Sequence, residues 1–224
     1  MENLKLITIK DFADGQKYMV IEPSVTIEDI VLHPDCPALL KNAVEISTSW
    51  QVRVETPLEK SILSPALVPQ WAAALLALNT SVITGEEKTM PLNIFMENRG
   101  PRTLVKIQIP LDNADRSSAD SRVGMTPSDV PIVYAAASLE TKNGTIQSAR
   151  VALTGAWKQT VRMVASAEKL SGKTIDIKMM QEIAEEAAKE AEPKSDFRGS
   201  ENYRREMAKV AVRRALEKCV EGEK

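Results

Sequence analysis

The side chains able to do chemistry are few and scattered. The single histidine, His33, stands in Leu32-His33-Pro34, so any His-based metal site, or any Ser-His or Cys-His pair, would run through that one residue. A proline restricts the residue before it to extended backbone, which reads His33 as a surface residue ending a helix. Cys36 and Cys219 lie far apart and outside any CxxC spacing. That argues against a zinc site, an iron–sulfur site or a disulfide framework, and leaves two buried thiols. Glu168 and Asp196 read as helix and turn partners rather than as a catalytic acid pair. The last stretch is locally basic through Arg204, Arg205, Lys209, Arg213 and Arg214, but Glu201, Glu206, Glu217 and Glu221 are interleaved with them, as on a solvated, ion-paired helix face. There is no GxGxxG, GxxxxGK[ST] or HExxH motif. No catalytic residue and no metal-ligand set is expected.

The elements that would position these residues follow from spacing. Lys17 to Ile21 reads as a strand, and Thr26-Ile27-Glu28-Asp29 has the spacing of a capping box that opens a short helix. A second helix is expected over Ala38 to Thr48, with Leu39, Leu40, Ala43, Val44 and Ile46, and a third through Val68, Trp71, Ala72, Leu75 and Leu78. Gln51 to Pro65 between them reads as an irregular link. Ser81 to Thr84 and Lys88 to Leu92 flank Gly85-Glu86-Glu87 as a hairpin, and Leu104 to Ile109 alternates like a strand until Pro110. Asp112 to Asp129 is polar and rich in Ser and Asp, so it reads as a linker or mobile loop between a domain over 1–111 and one over 130–224. Ile132 to Leu139 and Ile146 to Leu153 are apolar runs joined through Asn143-Gly144, a strong hairpin signal. Three helices are expected beyond them. One covers Lys158 to Leu170 and ends at Gly172; one carries Met180, Ile183, Ala184, Ala187, Ala188 and Ala191 and stops at Pro193; the last starts after Ser200 and buries Tyr203, Met207, Val210, Ala211 and Leu216.

The 224 residues, 43% hydrophobic and 27% charged, suit a globular protein with one large or two small domains. Lys plus Arg (29) nearly balances Asp plus Glu (31), which gives no net-charge footprint for nucleic acid or an anionic membrane. No apolar run approaches the roughly 18 residues of a membrane span, and MENLKLITIKDF lacks the plan of a signal peptide. The expected location is therefore cytoplasmic. Mixed strands and helices with hairpins and no regular βαβ alternation favour an α+β fold.

The segment Ser195 to Leu216, SDFRGSENYRREMAKVAVRRAL, resembles the end of the FAD-binding subunit of carbon monoxide dehydrogenase, xanthine dehydrogenase and related molybdenum hydroxylases. That family finishes with a Ser-Asp-x-Arg-Gly-Ser-x-x-Tyr-Arg-Arg run followed by Arg-Arg-Ala-Leu. Ala149 to Leu153, Ala167-Glu168 and Leu170 to Lys173 fall where the same family has corresponding elements. The resemblance implies a C-terminal domain, from about Val130 to Cys219, made of a small antiparallel sheet packed on helices. It also implies that Arg198, Arg204 and Arg205 dock the last helix rather than bind phosphate. Ile21 to Ile30 with His33-Pro34, Gln51-Val52-Arg53, and Leu75 to Asn79 are similar to pieces of the second subdomain of the family's FAD domain.

Between the last two of these anchors the family carries a Thr-Ile-Gly-Gly-Asn turn that approaches the FAD pyrophosphate, and further on an Asp that hydrogen-bonds a cofactor hydroxyl. Here those positions read Pro57-Leu58-Glu59-Lys60-Ser61 and Gln70. Glycine serves where a backbone N–H must come close to a diphosphate or take φ > 0, and Glu59 and Lys60 each place a Cβ and a long side chain there. A Glu59 carboxylate about 5 Å from a phosphate charge, at an effective dielectric of about 20, costs roughly 3 kcal/mol. The family's first Gly-rich pyrophosphate loop lies before the position matched by Leu4 to Phe12, so the resemblance implies that this chain begins after it.

The resemblance therefore implies an α+β chain with a truncated FAD-domain second subdomain followed by the C-terminal domain. Pro57, Leu58, Glu59, Lys60, Ser61 and Gln70 are the degenerate flavin-loop positions, expected not to bind FAD well. The isolated chain is expected to carry no cofactor and to serve a structural or assembly role beside a molybdopterin-binding large subunit and an iron–sulfur small subunit, or as a homo-oligomer. Two other readings stay open: an FAD electron-transfer subunit completed by a partner chain, and a fold reused as a binding module. Trp50, Trp71 and Trp157, in apolar contexts, read as core or interface anchors rather than flavin-stacking groups.

Overall fold

The computed structural model describes residues 6–12, 15–45, 47–98, 103–111, 115–126 and 129–221. Ile46 of the expected second helix, residues 112–114 and 127–128 of the expected linker, and Leu4 and Lys5 of the segment matched before Phe12 lie outside the described residues. The chain divides into two compact units, Met1–Leu111 and Asp112–Lys224.

The first unit is built on a five-stranded antiparallel sheet. Its strands are β1 (Ile7–Asp11), β2 (Lys17–Ile21), β3 (Ser81–Thr84), β4 (Thr89–Pro91) and β5 (Leu104–Pro110), in the spatial order β1-β2-β5-β3-β4. Helices α1 (Ile27–Val31), α2 (Ala38–Glu45), α3 (Trp50–Glu55), α4 (Leu58–Leu63) and α5 (Pro69–Ala77) fill the connection from β2 to β3, and α6 (Leu92–Glu97) joins β4 to β5. Thr26 caps α1 where its spacing puts it. Thr26 Oγ1 accepts the Asp29 N–H at 3.2 Å and donates to the Asp29 carboxylate at 2.8 Å. Proline opens α5 at its first turn, and every residue from Gln70 to Ala77 is buried, so this helix runs through the middle of the unit with no solvent face.

The second unit is a four-stranded antiparallel meander, β6 (Arg116–Val123), β7 (Val133–Lys142), β8 (Thr145–Thr154) and β9 (Val161–Met163), followed by a 3₁₀ turn (Ala165–Leu170) and helices α7 (Ile177–Glu190) and α8 (Glu201–Glu221). Asn143 and Gly144 both take positive φ, 52° and 73°, the backbone of a two-residue type I′ hairpin turn. Strand alternation sends Val133, Ala135, Ala137 and Leu139 of β7, with Ala149, Val151 and Leu153 of β8, into one apolar core with the helices.

Three expectations are corrected in this unit. Arg116–Val123, read as linker, is a strand paired residue for residue with β7 from Arg116↔Glu140 to Val123↔Val133. Its composition hides this because the side chains facing α8 are small and partly polar: Ser117, Ala119, Ser121 and Val123 pair with Leu139, Ala137, Ala135 and Val133. The strand is held by its ladder, by the Arg116–Glu140 ion pair and by the Lys218 ammonium donating to the Asp120 carbonyl at 2.8 Å. Lys158 to Leu170 is not one α-helix. Val161–Met163 adds a fourth strand against β8, and the Glu190 carboxylate accepts the first two N–H groups of the 3₁₀ turn, those of Ala165 and Ser166, at 2.9 and 2.8 Å. Along α8 the buried stripe is Arg204, Ala208, Ala211, Val212, Ala215, Leu216 and Cys219, whereas Tyr203 is exposed and Met207 and Val210 are half-buried.

Candidate functional site

The segment aligned with the family's flavin turn is not a loop. Gln51 to Pro65, expected to be irregular, contains α3 and α4. Ser49 caps α3 by accepting the Val52 N–H at 3.4 Å. Arg53 donates through Nε to Glu28 at 2.6 Å and through Nη1 to the Thr48 carbonyl at 2.9 Å, which ties α3 to α1. Pro57 is the N-cap residue of α4 and bridges to Thr26.

The backbone around that bridge is fully engaged with the segment that precedes α1. The Ile27 N–H donates to Thr56 O at 3.0 Å, the Leu58 N–H to Val25 O at 2.8 Å and the Glu59 N–H to Pro23 O at 3.0 Å. The first two amides of α4 thus point at carbonyl oxygens of the same chain, and a carbonyl already accepting at 2.8–3.0 Å leaves those donors no vacancy for a second acceptor. Leu58 and Ser61 are fully buried, and the Ser61 hydroxyl donates to Leu58 O at 2.7 Å. Glu59 is half-buried and Lys60 exposed. Gln70, on α5 against which α4 packs, is buried with its Oε1 3.5 Å from the Ser47 hydroxyl. Five of the six positions therefore lie together on α4 and its cap, with Gln70 on the neighbouring helix; among them only Lys60 is exposed.

A second constellation joins the end of the chain to the sheet of the second unit. Asp196 accepts the N–H groups of Arg198 and Gly199 on Oδ1, at 2.9 and 3.1 Å, and the Arg204 Nη2 on Oδ2 at 2.7 Å. Arg204 is buried, and its Nη1 donates to both Ile132 O (2.9 Å) and Gly155 O (3.0 Å). One guanidinium thus pins the start of α8 to the segments that enter β7 and leave β8. The Arg204 hydrogen bond is the main cause that holds the Asp196 carboxyl below its ordinary value, with the backbone N–H groups of Arg198 and Gly199 adding to it. Ser200 caps α8, accepting the Tyr203 N–H at 3.2 Å. Arg205 reaches the Ala191 carbonyl at 3.3 Å. Arg204 and Arg205 serve the docking of the last helix, whereas Arg198 stays in the turn before it, with its Nε 3.8 Å from Asp196. Asp196 is a turn partner, as expected, and Glu168 lies on the 3₁₀ turn, where its charge acts on Arg150.

The remaining candidates lie apart from these two constellations. His33 accepts the Asp35 N–H on Nδ1 at 3.2 Å just past α1. Cys36 and Cys219 are buried and form no disulfide, the Cys219 thiol donates to the Ala137 carbonyl at 3.6 Å, and burial pushes the Cys36 thiol up to about 12. Trp71 and Trp157 are buried, the latter with the Arg162 guanidinium 5.3 Å from its ring, while Trp50 is 58% exposed. Among the described residues no group of three His, Cys, Asp or Glu side chains could hold a metal ion, and no helix is long and apolar enough to cross a membrane. Sequence reasoning did not find Pro23, Val25, Ile132 or Gly155, because each acts through a main-chain carbonyl that no residue type announces.

Residues 125–219 match the family described as CO dehydrogenase flavoprotein C-terminal domain. The glyceraldehyde dehydrogenase medium chain of Sulfolobus acidocaldarius is 23% identical over 190 residues, which covers 80% of this chain and 66% of that relative. The chain thus spans about two thirds of the length of the curated relative that it matches. Among solved structures, carbon monoxide dehydrogenase from Hydrogenophaga pseudoflava superposes with a TM-score of 0.80 at 23% identity, over 97% of this chain and 79% of that one. Quinoline 2-oxidoreductase from Pseudomonas putida 86 gives 0.75 at 22%, over 98% and 79%. At such identities the structural likeness is one of fold.

Proposed function

With residues 125–219 forming a CO dehydrogenase flavoprotein C-terminal domain in a relative of the molybdenum hydroxylase flavoprotein subunits, we propose that this chain is a structural or assembly subunit that does not hold FAD by itself. The observation that carries the reading is the engagement of the Leu58 and Glu59 amides by Val25 and Pro23. A diphosphate needs free, convergent N–H donors and room for its oxygens. At the aligned positions the Leu58, Glu59 and Ser61 amides are used, Leu58 and Ser61 fill the core, and the Glu59 and Lys60 side chains occupy the place of the glycines. These residues do not fit a pyrophosphate.

The second unit carries a buried polar lock of its own. The Asp196–Arg204–Gly155–Ile132 lock leaves both Nη atoms of a buried guanidinium hydrogen-bonded, and truncating such a buried group is strongly destabilising. Retention of the C-terminal domain beside a closed flavin turn supports a role through surface rather than through cofactor. A relative that is a medium chain works with other chains, and the partners proposed here are a molybdopterin-binding large subunit and an iron–sulfur small subunit in the cytoplasm. Co-expression with those two polypeptides, followed by size-exclusion chromatography, tests this: the chain should elute within their complex. Elution as a separate species would overturn the assembly role, and FAD retained only inside the complex would turn it into an electron-transfer subunit completed by a partner.

A further inference from the structure

Phe197 has 96% of its surface exposed, the most of any described large hydrophobic residue; Met125 follows at 75%. Single exposed apolar side chains are common and need no explanation when the backbone carrying them is loose. This one sits at the tip of a fixed turn. The Asp196 N–H donates to Gly199 O at 3.1 Å and the Gly199 N–H to Asp196 O at 3.2 Å, while Asp196 Oδ1 closes the inside of the turn. Ser195 Oγ accepts the Glu201 N–H at 2.9 Å, joining the turn to α8, and Arg204 clamps Asp196 from the buried side. A Cβ at Gly199 would lie 2.9 Å from the Tyr203 ring, so the glycine lets the turn press against the helix. Asp196, Gly199, Ser195 and Arg204 are thereby accounted for by the turn itself. Phe197 is not.

The Arg198 guanidinium lies 5.9 Å from the Phe197 ring centroid, close enough for a cation–π contact. It shares the Asp196 carboxylate with Arg204, at 3.8 Å against 2.7 Å. One carboxylate thus faces two guanidinium groups beside the exposed ring, with the nearer contact going to the buried Arg204, and Lys194 is exposed as well. An aromatic and an arginine at a preordered tip are the residue types that carry most interface energy, and a fixed turn has little ordering entropy left to lose on docking.

We propose that the Asp196–Gly199 turn presents Phe197 and Arg198 as an anchor for a different polypeptide of the assembly, one that offers an apolar pocket with a carboxylate at its rim. This rests on the assembly role argued above. The test measures the dissociation constant between this chain and the co-expressed molybdopterin-binding and iron–sulfur polypeptides, for the unaltered chain, Phe197→Ser, Phe197→Trp and Arg198→Glu. Phe197→Ser should weaken binding by about thirtyfold or more, as loss of one hot-spot aromatic does. Phe197→Trp should keep most of the affinity, Arg198→Glu should weaken it, and the thermal midpoint of Phe197→Ser should hardly move, because the ring is almost wholly exposed and meets only the Arg198 guanidinium of its own turn. Unchanged affinity in Phe197→Ser would overturn the anchor and leave the assembly role standing; failure of the unaltered chain to bind would overturn both. Concentration-dependent self-association of the isolated chain that Phe197→Ser abolishes would assign the anchor to a second copy and also overturn the proposal.

Discussion

The Leu58 N–H donates to the Val25 carbonyl at 2.8 Å, and with the neighbouring Glu59 N–H to Pro23 contact at 3.0 Å it converts the start of α4 from a donor surface into a seam. Two segments about thirty-five positions apart in the sequence are stitched there by main-chain hydrogen bonds, so on the function proposed above the side chains at Glu59 and Lys60 are only part of what keeps a pyrophosphate out.

Restoring glycine should therefore not restore binding. The double substitution Glu59→Gly, Lys60→Gly is expected to lower stability by about 1–2 kcal/mol in urea unfolding, the cost of two glycines in a helix, and to leave FAD affinity undetectable by calorimetry. Tight FAD binding by this variant would show that the side chains alone closed the site.

Two glycines with the same backbone sign separate strain from close approach. Gly155 and Gly172 have φ of 73° and 78°. A Cβ at Gly172 meets nothing within 4 Å, but at Gly155 it would collide with the Ile132 carbonyl and lie 3.3 Å from Arg204 Nη1. Gly172→Ala should cost about 1 kcal/mol, the left-handed backbone penalty. Gly155→Ala should cost more than about 3 kcal/mol because it displaces the buried arginine from both carbonyls. Equal losses in denaturant unfolding would mean that the Arg204 lock tolerates displacement.

Asp196 gives the fold an acid-sensitive contact. Its carboxyl is held below the ordinary value chiefly by the Arg204 hydrogen bond. A lowered folded-state value means that the stabilisation is present above the unfolded pKa, about 3.9, and is lost as pH falls through the folded value. Thermal midpoints should decline below about pH 4, and Asp196→Asn should start lower at neutral pH and decline less across that window. Parallel curves for the two proteins would remove Asp196 from the acid limb.

How much of this could be read from the sequence depends on where the determining contact lies. Thr26 with Asp29, Asn143-Gly144 and Ser200 are local devices, and the elements they start or join are found where spacing puts them. Arg116–Val123 escaped because a strand can be made by its ladder, with Ser and Ala in the place of larger apolar residues. The buried face of α8 differs from the expected one for a related reason. Periodicity arguments bury tyrosine and expose arginine, whereas here Ile132 and Gly155 supply carbonyls that make Arg204 the buried member and leave Tyr203 outside. At the candidate site the missing glycines were plain, but not the helix that replaced the turn, because Pro23 and Val25 contribute only backbone.

The most direct test of the central claim is the FAD content of the purified chain, measured as flavin released on denaturation and as the visible flavin absorption band before it. A colourless protein with no flavin released, even after incubation with excess FAD, is expected. Stoichiometric FAD that survives gel filtration on the isolated chain would contradict it.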